Sequence, residues 1–564
     1  MCNRSEQLIL PFRKRSHLSI LSIHFEMSIK ELTFFFAFFL LFQAVYSQET
    51  PRLVIGITVD QMRYDYLYKY WNDLGEGGFK RLLGQGFVAH NGHFNYAPTY
   101  TGPGHASIYT GTGPAHHGII GNEWYSRKEK RKVYCVEDES VRSVGEGATS
   151  GQASPKWLTA TTVIDQLELG TNDQAKTMGV SIKDRGAILP AGHHADAAYW
   201  VDKATLRFIS SSAYLDSLPD WVKAFNSMEL PQQYLAAGWQ LRNSIEMYNE
   251  SQPDSSQFEL PFRNTDAAVF PYDLKKISET RAFGVGETAY DVLATSPQGN
   301  ELVVRFVEAA IEAEGFGQDN IPDMIAMSFS STDYAGHRFG PHSVEVQDMY
   351  LRLDSLLSEF LSYVDSVVGL EQTLVFLTAD HGAADVPAYV KEPAGYFKGK
   401  TFGGGLRSYL THKFGVDPIE SVSNQQIYLT QVDSVDYEKV EYEIRRFAMR
   451  FSGVMNVVKL GDWSTCSSRE EVCTRLRNGY HPQLSGDFYI QLYPGWIDYN
   501  PNGGTTHGSP YAYDTHVPII FFGWKVAPQQ NYERIYIEDI APTISDALRI
   551  SLPSGCTGRA LDIY

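Results

Sequence analysis

The chain has 564 residues, 43% hydrophobic and 13% aromatic, which is enough apolar material for a large folded body and excludes a disordered chain. Its formal charge of −18 repels nucleic-acid phosphates, so a nucleic-acid partner is not expected. The same surplus opposes anionic substrates, so any site that processes one must be made locally positive by metals, lysine or arginine.

Residues 1–47 read as a signal-peptide region. Thr33–Val45 is apolar but too short to cross a bilayer comfortably, Lys30 precedes it, and Val45-Tyr46-Ser47 resembles a cleavage site before Gln48. Met27 offers a second possible start. The expectation is an exported, monomeric chain, periplasmic or secreted, with no stable membrane anchor after cleavage; an uncleaved anchor is the competing reading. Cys135, Cys466, Cys473 and Cys556 lie beyond this region. An exported protein permits disulfides, and Cys466 with Cys473 is the favoured pair.

Apolar runs then recur, several ending in polar groups. Leu53–Val59 ends at Asp60, and Thr177–Ile182 ends at Lys183-Asp184-Arg185. Met324–Phe329 leads to Asp333, Leu374–Ala379 ends at Asp380-His381, and Val517–Phe522 follows His507. Continuous runs of this length suit strands buried on both faces of a parallel sheet. Helices are expected between them, at Pro155–Leu169 and over Val346–Val364, where apolar residues follow i, i+3, i+4 spacing. The alternation predicts a doubly wound, mostly parallel α/β sheet with helices on both faces. The expected organisation is one domain over residues 48–564. Insertions at about 190–290 and 403–480 would form a cap or rim, the first opening on a hairpin-like pair, Ala198–Val201 and Leu206–Ser210.

Ligands of doubly wound sheets bind outside the carboxyl ends of the strands. Asp60, Asp333, His337, Asp380, His381 and His507 are expected there. Three carboxylates and three imidazoles suit zinc, and two ions could each take three protein ligands and keep a position open. Asp333 and His337 stand four apart, so a helical turn puts them on one side, with Gly336, Gly340 and Pro341 read as keeping that segment loop-like. Thr101-Gly102-Pro103-Gly104-His105 precedes a plausible helix, whose N-terminus favours anions. Thr101 reads either as a simple cap or as a nucleophile that needs activation. Asn122 reads as a turn residue or as a donor to a phosphoryl oxygen. Lys183 and Arg185, two apart at a strand end, read as a solvated rim or as a phosphate clamp. His105, His116, His117, His342 and His516 are assigned no metal role.

Thr58-Val59-Asp60, Thr101-Gly102-Pro103-Gly104-His105, Asp333-Tyr334-Ala335-Gly336-His337, Thr378-Ala379-Asp380-His381-Gly382 and His507-Gly508, in that order, resemble the alkaline phosphatase superfamily, and most closely its PafA-type, phosphate-irrepressible bacterial branch. The resemblance spans about residues 52–564. It implies a two-zinc alkaline phosphatase that hydrolyses phosphate monoesters through a phosphothreonine on Thr101. One ion would be held by Asp333, His337 and His507, the other by Asp60, Asp380, His381 and the Thr101 oxygen. Asn122, Lys183 and Arg185 would bind the phosphoryl oxygens. The sulfatase Cys-x-Pro-x-Arg pattern is missing, as is a convincing third-metal set. The alternative within the superfamily is a phosphodiesterase or nucleotide pyrophosphatase; outside enzymes it is an exported metal-binding protein that retains the fold.

Overall fold

The computed structural model describes residues 50–564 apart from 264, 281–285, 391–392, 431–435 and 465–469. The signal-peptide reading and Cys466 of the expected disulfide therefore lie outside the described residues. Cys473 is disulfide-bonded, while Cys135 and Cys556 are free.

The main sheet contains β1 (Leu53–Val59), β2 (Phe87–Ala89), β3 (Ser143–Val144), β4 (Thr177–Ser181), β5 (Ala197–Val201), β6 (Phe208–Ser211), β7 (Asp323–Phe329), β8 (Thr373–Thr378), β9 (Ile519–Gly523) and β10 (Gln529–Asn531). Their spatial order is β10-β2-β9-β8-β1-β7-β4-β5-β6-β3. The five strands β8, β1, β7, β4 and β5 run parallel. Antiparallel strands β9 and β6 flank them. Every residue of β1, β7 and β8 is buried, as expected of strands covered by helices on both faces. The long helix expected over Val346–Val364 is present as Val344–Val367, opened by the Ser343 side chain, which accepts from the Val346 N–H.

Register places the polar ends. Thr58 of β1 lies beside Ser328 of β7 and Thr378 of β8. Two residues further along, Asp60 and Asp380 leave adjacent strands at the same level. Four helices complete the rim: α1 (Thr101–Thr110), α2 (Val163–Thr171), α3 (Asp184–Ala191) and α4 (Ser331–Phe339).

Four local expectations are corrected. The helix read at Pro155–Leu169 starts only at Val163, because Thr162 forms a capping box with Asp165. Lys183 and Arg185 do not share a strand face: β4 stops at Ser181, Lys183 is the residue before α3, and Arg185 lies in its first turn. The Asp333–His337 segment is helical throughout as α4, despite Gly336. The Ala198–Val201 and Leu206–Ser210 pair is β5 and β6, an extension of the main sheet rather than a cap.

Residues 395–497 make an excursion whose ends pair, Gly395–Tyr396 running parallel to Trp496–Ile497. Within it, strands Ile419–Ser423, Gln426–Leu429, Val454–Lys459 and Phe488–Leu492 form a four-stranded antiparallel sheet. Helices Gly399–Phe414 and Tyr437–Ala448 close its own apolar core of Phe402, Leu406, Ile427, Ile444 and Ile490. It touches the main body at the hairpin Glu123–Ser126/Arg131–Tyr134, where the Asn424 amide donates to the Glu123 carbonyl at 2.6 Å. Among the described residues no helix is long and apolar enough to cross a membrane.

Candidate active site

The strand-end acids meet above the sheet. Asp333, His337 and His507 form one group, and Asp60, Asp333 and His381 another, each with donor atoms within 4.8 Å of one another. Asp333 thus belongs to both groups. The four-residue step from it to His337 is one helical turn, which brings His337 Nε2 to 3.1 Å from Asp333 Oδ1, while His507 Nε2 reaches 3.7 Å from the same oxygen. His381 Nε2 lies 3.5 Å from both Asp60 Oδ1 and Asp380 Oδ2. The His381 and His507 rings stack with centroids 3.5 Å apart.

All three imidazoles are oriented from behind. Nδ1 of His337 lies 2.8 Å from the Thr505 carbonyl, Nδ1 of His507 2.8 Å from the Thr99 carbonyl, and Nδ1 of His381 3.0 Å from the Gly382 carbonyl. A carbonyl only accepts, so each Nδ1 carries a proton, and in the neutral ring each Nε2 presents a lone pair to the carboxylates. This is the orientation metal-binding histidines take. Asp60 Oδ1 and Asp380 Oδ2 are buried and accept no hydrogen bond. Lone pairs facing unpartnered carboxylate oxygens are repulsive without a cation between them, so the donor set fits divalent metal.

The electrostatics agree. Burial, with Asp333 and Asp380 close by, holds the Asp60 carboxyl well above its ordinary range despite Lys183. Burial also works against ionisation of Asp333, but His337 and Lys183 outweigh it and hold that carboxyl well below its ordinary range. Burial pushes His507 well below its ordinary value, assisted by His381 and His337. The one lysine of the cluster, 4% exposed, bridges the acids: Lys183 Nζ donates to Asp60 Oδ2 at 2.6 Å and to Asp333 Oδ2 at 2.5 Å. Its ammonium also sits 4.8 Å from the Tyr334 ring centroid.

Thr101, 1% exposed, is the first residue of α1, with Oγ1 3.4 Å from His381 Nε2. The Gly102 N–H donates to Asn122 Oδ1 at 2.7 Å. A backbone N–H can bond only the amide oxygen, so the Asn122 NH2 remains the outward donor. Arg185 hydrogen-bonds the Tyr134 hydroxyl at 3.0 Å. Helix α1 approaches the Asp380 turn so closely that a Cβ on Gly104 would stand 2.3 Å from the Asp380 carbonyl oxygen. Gly104→Ala is therefore expected to lower Tm in thermal unfolding. Its overpacking costs about 1–3 kcal/mol, against about 1 kcal/mol of helix propensity gained.

Gln61, which sequence reasoning passed over, and His105, which it assigned no metal role, hold the acids in place. Gln61 has φ of 63°, unusual for a residue other than glycine. Its N–H donates to Asp380 Oδ1 at 3.1 Å and its side-chain amide to Asp333 Oδ1 at 2.6 Å. A Cβ on Gly336 would stand 1.9 Å from Gln61 Oε1, which explains a glycine inside α4. His105 is buried, with Nδ1 3.0 Å from the Thr101 carbonyl and 3.3 Å from Asp380 Oδ2, and Nε2 2.9 Å from Ser328 Oγ. The only signal for Gln61 was its place directly after a strand-end acid. The other histidines contact groups elsewhere: His117 meets Ser107 Oγ, His342 meets Asp385, and His516 stacks on His93.

A family model described as type I phosphodiesterase / nucleotide pyrophosphatase matches residues 54–512, and the chain belongs to that family. Within it the chain is similar to alkaline phosphatase PhoV of Synechococcus elongatus, 42% identical over 520 residues that cover 91% of this chain and 92% of the relative. It is also similar to alkaline phosphatase PafA of Elizabethkingia meningoseptica, 40% identical over 521 residues, 91% of this chain and 94% of the relative. The crystal structure of wild-type PafA superposes with a TM-score of 0.87 at 40% identity, covering 91% of this chain and 99% of that one.

Proposed function

We propose that the protein is a zinc-dependent alkaline phosphatase that hydrolyses phosphate monoesters through a phosphothreonine on Thr101. The observation that carries this reading is the Thr101 hydroxyl at a helix N-terminus, 3.4 Å from His381 Nε2, among the buried acids and imidazoles. A pure metal-binding module has no use for a hydroxyl there. Asp333, His337 and His507 would hold one zinc ion; Asp60, Asp380, His381 and Thr101 would hold a second. When bound, the ions would lower the pKa of hydroxyl groups and water and neutralise charge on the apical oxygens.

The chain's own residues divide the remaining work. Thr101 Oγ1 attacks phosphorus in line, the alcohol leaves from the opposite side, and water then releases phosphate from the phosphothreonine. Asn122, Lys183 and Arg185 meet the negative charge on the equatorial oxygens. Lys183 already spans Asp60 and Asp333, so it ties the phosphoryl oxygens to both acid groups. A monoester dianion has one more unsubstituted oxygen than a diester, and the cationic pair favours it. The Thr33–Val45 segment supports an exported, periplasmic or secreted protein, and the excursion at 395–497 would overhang the site as a cap.

The test is a panel of aryl phosphate monoesters and diesters on the purified mature chain. Turnover should be lost in chelator and restored by zinc. Arg185→Ala should lower kcat/KM for monoesters by about tenfold or more, the worth of a charge-assisted hydrogen bond, and leave diesters nearly unchanged. Equal losses on both ester classes, or a diester preference in the native chain, would replace this reading with a phosphodiesterase.

A further inference from the structure

The guanidinium of Arg185 has no carboxylate partner among the described residues, and its Nε is buried without a hydrogen bond. What holds it is a phenol. Arg185 Nη1 donates to the Tyr134 hydroxyl at 3.0 Å, and that hydroxyl donates to Asp184 Oδ1 at 2.6 Å. Burial keeps the Tyr134 phenol protonated far beyond neutral pH. The chain of contacts is therefore carboxylate, hydroxyl, guanidinium. A carboxylate paired directly with Arg185 would neutralise it and compete with a phosphoryl dianion. A hydroxyl between the two fixes the geometry and leaves the positive charge available.

The backbone around Tyr134 reaches the other oxygen-binding candidate. Tyr134 ends the second strand of the hairpin and pairs with Glu123, and the next N–H, of Cys135, donates to the Asn122 carbonyl at 2.9 Å. Asn122 in turn takes the Gly102 N–H. One hairpin thus connects the start of α1, Asn122 and, through the Tyr134 hydroxyl, Arg185. The far end of the same hairpin rests on the 395–497 excursion, with Tyr125 against Tyr428 and Arg127 on Asp487.

We propose that Tyr134, seated on Asp184, is a positioning residue that aims the Arg185 guanidinium at the phosphoryl group and so sets the preference for monoesters over diesters. This rests on the phosphatase reading above. The positioning acts through Arg185 alone, so the two residues are one functional unit.

The experiment is a double-mutant cycle on the full mature chain with its zinc, using Tyr134→Phe, Arg185→Ala and the pair. The readouts are kcat/KM for 4-nitrophenyl phosphate and for an alkyl 4-nitrophenyl diester, and the Ki of inorganic phosphate. Tyr134→Phe is expected to lower monoester kcat/KM and weaken phosphate inhibition by about tenfold, with diester turnover nearly unchanged. In the Arg185→Ala background the same change should alter either value less than about twofold. A loss that persists undiminished in that background, or one equal for both esters, overturns the proposal and leaves Tyr134 a merely structural residue. If Arg185→Ala itself spares monoesters, the phosphatase reading fails first and takes this one with it. Should Tyr134→Phe unfold, Asp184→Ala removes the acceptor of the phenol and enters the same cycle with the same expected coupling.

Discussion

Thr101→Ala is expected to reduce turnover of an aryl phosphate monoester by roughly 10³-fold or more, the scale on which losing an activated nucleophile is felt. The six acids and imidazoles around it remain, so zinc content should change little. Thr101→Ser keeps a hydroxyl at the start of α1 and should retain a measurable part of the activity. Acid quenching during turnover should trap phosphate on the native chain and none on the alanine variant. Activity above a tenth of the native level in Thr101→Ala would mean that water attacks the substrate directly, and the phosphothreonine would have to be abandoned.

The second large effect is expected at Asp333. One of its oxygens takes Lys183 at 2.5 Å, while the other takes Gln61 at 2.6 Å and faces His337 at 3.1 Å and His507 at 3.7 Å. Among the described residues, no other side chain is common to both donor groups. Asp333→Ala should therefore remove a ligand of the position formed with His337 and His507 and disturb the neighbouring one, whose Asp60 and His381 it faces. Zinc per chain, read by elemental analysis after dialysis, should fall below half of the native content. Activity should fall by more than about 100-fold, the upper range for residues that merely orient a metal ligand. Lys183 retains Asp60 as a partner, so the stability loss should stay near the lower end of a broken buried pair, about 3 kcal/mol. Native zinc content in the variant would refute the shared role of Asp333.

Much of the architecture was legible because burial on both faces leaves a simple mark. The β1, β7 and β8 runs are buried throughout and mostly apolar, and each is followed by Asp60, Asp333 or Asp380 within a few residues. The errors came where two patterns compete. Thr177–Ile182 stays apolar past the end of β4, and Lys183 offers no side-chain cap, so nothing marked the start of α3. At Thr162 a capping signal was present, Thr followed three residues later by Asp165, but Pro155 drew the helix start too early. Gly336 looked like a helix breaker because its purpose, room for Gln61, lies in another strand's exit loop.

The linear order of residues determined the parallel strands, the acids that end them, the one-turn spacing of Asp333 and His337, and the helix that begins at Thr101. These depend on neighbours a few residues apart, and local burial and helical geometry are enough to reveal them. Tertiary structure alone decided that Asp333 serves both groups, that backbone carbonyls of Thr505, Thr99 and Gly382 set the imidazoles, and that Tyr134 holds Arg185. Each of these is a contact a few ångströms long between segments far apart in the chain. Hydrogen bonding and charge act over that distance in space, and no periodicity or spacing in the sequence encodes it.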